Sequence, residues 1–126
     1  MLKIFSWQDR RHIKQSDAQD AAYAMRYYVE LDNNIERVYD DPSLYDGDFD
    51  LDTVGARLAG RDLARLAPGK ALNTLRDFLK RQVDLADDSE FFADMQLEPT
   101  RLFRDASLYA HLLPNLLLGI EESLGR

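Results

Sequence analysis

Three arginines in the middle of the sequence have the type and spacing of a phosphate-binding or ion-pairing group. Arg57, Arg61 and Arg65 lie four residues apart, so they form one stripe if the segment is helical. A stripe of guanidinium groups can hold phosphates, or it can pair with the acidic side chains of residues 40–52. We favour the ion pairs as its main role and keep phosphate binding as the alternative.

The segment from Asp46 to Asp52 carries an aspartate at every second position, as the start of a calcium-binding loop does. Leu51 stands where such a loop needs a glycine for its sharp turn, and Arg57 stands where a bidentate glutamate should close the site. The pattern therefore favours a solvated loop with helix-capping aspartates over a calcium site.

Other metal and catalytic signatures are absent from the sequence. It contains no cysteine, and its two histidines, His12 and His111, do not have the three- or four-residue spacing of a helical metal pair. It also lacks the Gly-x-Ser-x-Gly elbow, the Gly-x-Gly-x-x-Gly turn and the Gly-Lys-Ser/Thr phosphate loop. We therefore predict no metal site and no self-sufficient catalytic motif in this chain.

The elements that must position these residues follow from the spacing of the hydrophobic side chains. Ser16 and Gln19 form a capping box, which predicts that a helix begins at Asp17. Small and hydrophobic residues then recur at helical spacing along most of the chain. The predicted helices cover about residues 17–31, 51–67, 70–86, 90–96 and 99–124, with 35–39 as an extension of the first or a short helix of its own.

The same pattern sets the predicted fold class. No stretch of β-branched residues alternates with polar ones, as a half-buried strand requires. Pro114 should kink or break the last predicted helix, because proline lacks the backbone N–H. The length of 126 residues suits one domain. We predict a single all-α domain over residues 1–126, a bundle-like fold of about five to six helices.

The composition excludes several classes of protein. A hydrophobic share of 45% and a charged share of 31% are ordinary for folded globular chains. No apolar run approaches the roughly 20 residues that span a bilayer, and the N-terminal region is too charged for a signal peptide. The net charge of -7 argues against broad nucleic-acid binding. We predict a cytoplasmic protein that does not contact membranes and, as an isolated chain, does not bind nucleic acid.

The charges are distributed in blocks of opposite sign. Residues 53–83 carry a net charge of +5, between residues 30–52 with -8 and residues 84–126 with -6. We expect the blocks to neutralise each other within the fold, and a basic groove is the alternative.

The end of the chain is unusually rich in large aliphatic residues. Seven of them fall within 13 residues around Pro114, which is more than one face of a short helix can bury in a small core. We expect an exposed apolar patch at residues 112–124 that pairs with a second copy or with another chain. The alternative is that two half-helices bury opposite faces in one core. The seven residues are Leu112, Leu113, Leu116, Leu117, Leu118, Ile120 and Leu124.

Two segments carry a family resemblance. The first is LKIFSWQDRR at residues 2–11, followed by Lys14, Asp17 and Asp20, and the second is GARLAGRDLAR at residues 55–65. Together they resemble the C-terminal half of AbiEii/AbiGii-type predicted nucleotidyltransferases, a family associated with bacterial phage defence and toxin–antitoxin systems. The likeness extends over about residues 2–95.

The resemblance implies a helical domain that follows an α/β nucleotidyltransferase core. In that family the core supplies a Gly-Ser turn and an Asp-x-Asp pair that hold a nucleoside triphosphate and magnesium, and the helical half contributes a lysine and a downstream aspartate. Lys3 matches the lysine and Asp17 the aspartate, with Asp20 as a second acid on the same helix. The resemblance thus implies catalytic roles for these three residues.

The core half of that active site is missing from the chain. There is no Gly-Ser dipeptide, and the Asp-x-Asp pattern from Asp46 to Asp48, in an apparent loop, follows the lysine and aspartate instead of preceding them. We therefore predict that the chain is inactive alone and holds no cofactor alone. Magnesium and a nucleoside triphosphate would bind only after reconstitution with a core, which residues 112–124 are expected to contact. The alternative is a free-standing all-α module for protein–protein interaction.

Overall fold

The computed structural model describes residues 2–10, 16–45, 50–51, 53–96 and 109–125. Within these ranges all regular elements are helical, so the predicted all-α, bundle-like fold is confirmed. None of the helices in this part of the chain is long and apolar enough to cross a bilayer. The α-helices are α1 Leu2–Arg10, α2 Ser16–Tyr27, α3 Asn34–Asp40, α4 Val54–Leu66, α5 Gly69–Leu85, α6 Glu90–Met95 and α7 Tyr109–Leu124, and short 3-10 helices cover Tyr28–Glu30, Pro42–Tyr45 and Ala86–Asp88.

The beginning of the chain differs from the prediction. Helix α1 precedes the first predicted helix, which is α2. Helix α2 ends at Tyr27, before the predicted boundary, and the chain continues as the 3-10 helix Tyr28–Glu30. Asp32 then takes a positive φ of 47°, a conformation that aspartate tolerates and that ends a helix. Residues 34–40 therefore form a separate helix, α3.

The sequence predicted a kink or a break at Pro114, and helix α7 runs through Pro114 without a break. The proline forgoes one backbone hydrogen bond in the second turn, but its neighbours Leu113 and Leu116 are buried. Burial of two leucines contributes roughly 3–6 kcal/mol, about as much as the cost of a proline inside a helix or more. The predicted segment from Pro99 to residue 108 lies outside the described residues.

Most of the aliphatic residues at the end of the chain belong to the core of this same chain. Leu112, Leu113, Leu116 and Ile120 are buried, and Leu117 is half-buried. The exposed remainder is small and consists of Leu118 and Leu124.

The main core joins buried residues of α1, α2, α5, α6 and α7. At its centre the rings of Trp7, Phe78 and Phe91 meet edge to face, with centroids 4.9–5.9 Å apart, the arrangement that aromatic quadrupoles favour. The indole Nε1 of Trp7 donates to Asp94 Oδ2 at 2.7 Å, which ties α1 to α6. The buried residues of α2 in this core are Ala18, Ala21, Ala22 and Met25, as its spacing predicted.

Helices α4 and α7 approach each other closely. A Cβ atom added at Gly119 would overlap the carbonyl oxygen of Arg57, and one added at Gly60 would overlap the carbonyl oxygen of Leu116. Backbone atoms of the opposite helix therefore occupy the space that a side chain would need. This contact brings side chains on the facing sides of α4 and α7 close enough to interact.

Gly119→Ala tests this contact. The new methyl group meets backbone atoms of α4 that cannot rotate away, so we expect the free energy of unfolding to fall by roughly 2–3 kcal/mol. Gly69→Ala is the matched control, because a Cβ atom at Gly69 meets nothing within 4 Å. It should change stability by less than about 1 kcal/mol, in the stabilising direction. Urea unfolding of both variants measures the difference, and equal stabilities would show that the helices do not approach this closely.

Candidate functional site

The three residues that the family resemblance singles out lie together in the structure. Lys3 is on α1, and Asp17 and Asp20 are on the first turns of α2. The Nζ atom of Lys3 is 3.5 Å from Asp17 Oδ1 and 3.1 Å from Asp20 Oδ2. The packing of α1 against α2 thus brings a cation and two carboxylates into one cluster.

The two carboxylates of this cluster differ in their exposure. The side chain of Asp17 is 1% exposed, whereas that of Asp20 is 50% exposed. The buried Asp17 therefore pairs with Lys3 from the interior of the protein. It also lies near the positive end of the α2 helix dipole. The hydrogen bond to Asp20, together with the charges of Asp20 and Asp17, raises the pKa of Lys3 above its ordinary value. Lys3 and Asp20 are the members of the cluster that a ligand can reach.

An apolar groove of 270 Å³ lies beside Lys3, between α1, α2 and α4. Ile4, Met25 and Leu63 line it, and Asp62 and Lys3 supply polar groups. Leu66 of α4 also lines the groove and is 81% exposed. An exposed leucine beside an empty apolar groove is a feature typical of surfaces that contact another chain.

The stripe of arginines on α4 is built into a network of ion pairs. Arg57 Nε donates to Glu122 Oε1 at 2.9 Å, and Arg57 Nη2 pairs with Glu122 Oε2. Arg57 Nη1 donates to the carbonyl oxygen of Leu44 at 3.3 Å. Arg61 Nε reaches the same Glu122 Oε1 at 3.1 Å. One carboxylate on α7 is therefore shared by two buried guanidinium groups on α4.

Arg61 also pairs with the segment that precedes α4. Its Nη1 donates to Asp41 Oδ2 at 2.9 Å and to Ser43 Oγ at 3.1 Å. The predicted pairing of the arginine stripe with acids of residues 40–52 is thus confirmed for Arg61. Phosphate binding by the stripe stays a prediction.

Asp62 is the second carboxylate that collects several donors. Arg37 donates to both of its oxygens, at 3.0 Å and 2.8 Å, and Arg65 and the hydroxyl group of Tyr28 also bind it. Burial acts to raise the pKa of Asp62, but these hydrogen bonds outweigh it and lower the pKa to about 2. Burial, with the bond to Asp62, raises the pKa of Tyr28 to about 12. The carboxylate stays ionised throughout the physiological range of pH.

Sequence reasoning did not identify Glu122, Asp62 or Arg37 as members of the site. The alternating blocks of charge were the sequence signal for these ion pairs, because arginines of the basic block 53–83 pair with acids of both neighbouring blocks. Among the described residues there is no group of three or more side chains suited to hold a metal ion. His111 is exposed on α7. His12 and most of the alternating aspartates, namely Asp46, Asp48 and Asp52, lie outside the described residues.

Glu122→Gln tests the network at the carboxylate that Arg57 and Arg61 share. Burial acts to raise the pKa of Glu122, but hydrogen bonds from Arg57 and Arg61 lower it to about 2. The stability that this ionised group contributes is therefore present at neutral pH and is lost as the pH falls from about 5 towards 2. The variant should lose about 3 kcal/mol at pH 7 and show a weaker loss of stability between pH 5 and pH 2.

The neighbouring Glu121→Gln is the control. Glu121 is 40% exposed and lies 3.5 Å from Arg76 and from Lys80, so its loss should change stability by less than about 1 kcal/mol. Urea unfolding at pH 7, 5 and 3 compares the two variants. If Glu122→Gln unfolds with the pH dependence of the unmodified protein, the buried pairing is wrong.

Comparison of the chain with family models, with curated proteins and with solved structures gave no match. The family resemblance therefore depends on residues of this chain alone, and no relative supports it. The likeness to AbiEii/AbiGii-type nucleotidyltransferases stays a prediction, carried by residues 2–11, 55–65 and the acids of α2.

Proposed function

We propose that this chain is a helical accessory domain of an AbiEii-type nucleotidyltransferase and is inactive until it joins a catalytic core. The observation that carries the proposal is the convergence of Lys3 with Asp17 and Asp20. The family likeness selected these residues without regard to their positions in space, and they belong to two different helices. Residues that act on one ligand must lie close together, and these three do.

Within this proposal each residue of the cluster has its own task. Lys3 stabilises negative charge on the phosphates of a nucleoside triphosphate, as a positioned cation does in phosphoryl transfer. Asp17, being buried, fixes the direction of the lysine side chain. Asp20 is accessible beside it and adds an acceptor at the edge of the cleft. Magnesium and the carboxylates that bind it belong to the core, where the metal neutralises the phosphates.

The core would approach through the groove beside Lys3. A partner that inserts an apolar side chain between Leu63 and Leu66 is brought directly against Lys3, because Lys3 lines the same groove. Residues 112–124 offer a smaller apolar surface to a partner, because the exposed aliphatic residues there are Leu118 and Leu124. We accordingly place the contact with the core at the groove, and pairing of two copies through residues 112–124 becomes the secondary proposal. Such an enzyme would act in the bacterial cytoplasm, where its nucleotide substrates are found.

Lys3→Ala in the reconstituted enzyme tests the proposal. The core is to be sought in the reading frame that precedes this coding sequence or in an adjacent gene, as an in-frame Gly-Ser and Asp-x-Asp region. We expect Lys3→Ala to reduce nucleotide transfer by about 100-fold, since it removes a charge that stabilises the reacting phosphates. Transfer of a radiolabelled nucleotide measures it. Lys80→Ala is the control, because Lys80 is also half-exposed and lies 3.5 Å from the acid Glu121.

The isolated chain provides the second arm of this experiment. Few groups converge on a nucleotide without the core, so calorimetric titration with magnesium and each nucleoside triphosphate should show millimolar binding at best and no transfer. Micromolar binding by the chain alone would contradict the incomplete site. Full activity of Lys3→Ala, or the absence of any encoded core, would favour the alternative of a free-standing interaction module that uses the same groove.

A further inference from the structure

A second pocket, of 210 Å³, lies between α5, α6 and α7. It shares no lining residue with the groove beside Lys3, so it is separate from the site of the proposed function. Its wall is mainly apolar, because Val83, Phe92 and Leu113 line it. An apolar cavity of about 150 Å³ is large enough to hold benzene. This pocket therefore has room for one aromatic ring that carries a short chain.

An acceptor on the wall of this pocket follows from the proline inside α7. Pro114 has no backbone N–H, so the carbonyl group of Ala110, four residues earlier, lacks its α-helical donor. The carbonyl group of a helical residue points towards the residue four positions later, and Ala110 and Pro114 both line the pocket. A carbonyl oxygen without its helical donor therefore lies at the wall, where a ligand can donate to it.

The charged residue in the described part of the lining is Asp87. Helix α5 ends at Leu85, and Ala86 then takes a positive φ of 50°, which turns the chain and places Asp87 beside the pocket. The carboxylate of Asp87 forms no hydrogen bond or ion pair with another described residue. No lysine or arginine offsets its charge among the described lining residues. A negative charge and a carbonyl acceptor beside an apolar wall both favour a cationic donor.

We propose that this pocket binds a small arylalkyl amine. The ring packs against Phe92 and Leu113, and the ammonium group donates to the carbonyl oxygen of Ala110 and to the carboxylate of Asp87. Because Asp87 is exposed to solvent, its ion pair adds little affinity, and burial of the ring contributes most of it. We therefore expect dissociation constants in the millimolar range.

Titration of the ¹⁵N-labelled protein with phenethylamine at pH 7 and constant ionic strength tests the pocket. We expect the backbone amide signals of Val83, Phe92 and Leu113 to shift and to saturate together. 2-Phenylethanol keeps the ring and a donor without the charge, and it should bind about fivefold more weakly. 3-Phenylpropionate carries the opposite charge and should not bind. n-Butylamine, which resembles a lysine side chain of a protein partner, should bind at least about tenfold more weakly because it has no ring to bury.

Two substitutions separate the charge from the carbonyl acceptor. Asp87→Asn should weaken binding of phenethylamine about fivefold and leave binding of 2-phenylethanol unchanged. Asp88→Asn is the matched control, because Asp88 is also exposed and does not line the pocket. Pro114→Ala supplies the N–H that the carbonyl group of Ala110 lacks, so it should weaken binding of the amine and of the alcohol by about threefold. Alanine favours the helix, so this variant should fold.

Several outcomes would overturn the amine pocket. Phenethylamine would give no saturable shifts, or 3-phenylpropionate or n-butylamine would bind as tightly as phenethylamine does. Binding of phenethylamine by Asp87→Asn or Pro114→Ala as tightly as by Asp88→Asn would contradict it as well.

Discussion

The backbones of α4 and α7 touch at Gly60 and Gly119, and much of the described structure depends on that contact. Each glycine leaves the space in which a carbonyl group of the other helix lies. Glu122 is one turn beyond Gly119, and Arg57 and Arg61 lie on the facing side of α4. A larger residue at either glycine would separate the helices, and the hydrogen bonds that Glu122 accepts would lengthen. The packing of small residues therefore determines where the buried charges can pair.

The paired charges in turn connect elements that also share a buried apolar cluster, formed by Val29, Val38, Leu44, Val54 and Leu58. Asp62 joins α4 to α3 through Arg37 and to the segment after α2 through Tyr28. Arg61 joins α4 to Asp41, just before the 3-10 helix Pro42–Tyr45. Breaking one partner of such a buried pair costs several kcal/mol because the other charge stays buried. The groove beside Lys3 borders this network, because Asp62 also lines the groove.

Local patterns in the sequence were sufficient to predict most of the helices, though not α1, and part of the site. The buried face of α2 and the one-sided stripe of Arg57, Arg61 and Arg65 follow from helical periodicity alone. The partner of Arg57 does not, because Glu122 is 65 residues away along the chain and the crossing of α4 and α7 depends on tertiary packing. For the same reason the sequence did not show that Pro114 would be tolerated inside a helix or that Leu66 would stay exposed.

The contact between the two glycines can be observed directly, without a substitution, in the nuclear Overhauser spectrum of the ¹³C-labelled protein. The Cα of Gly119 lies 3.1 Å from the position that a Cβ atom would take at Gly60. One of the α-protons of Gly60 points in that direction. The structure therefore predicts strong cross-peaks between the α-protons of Gly60 and Gly119. Their absence from a spectrum in which both residues are assigned would contradict the close crossing and the buried charge network that depends on it.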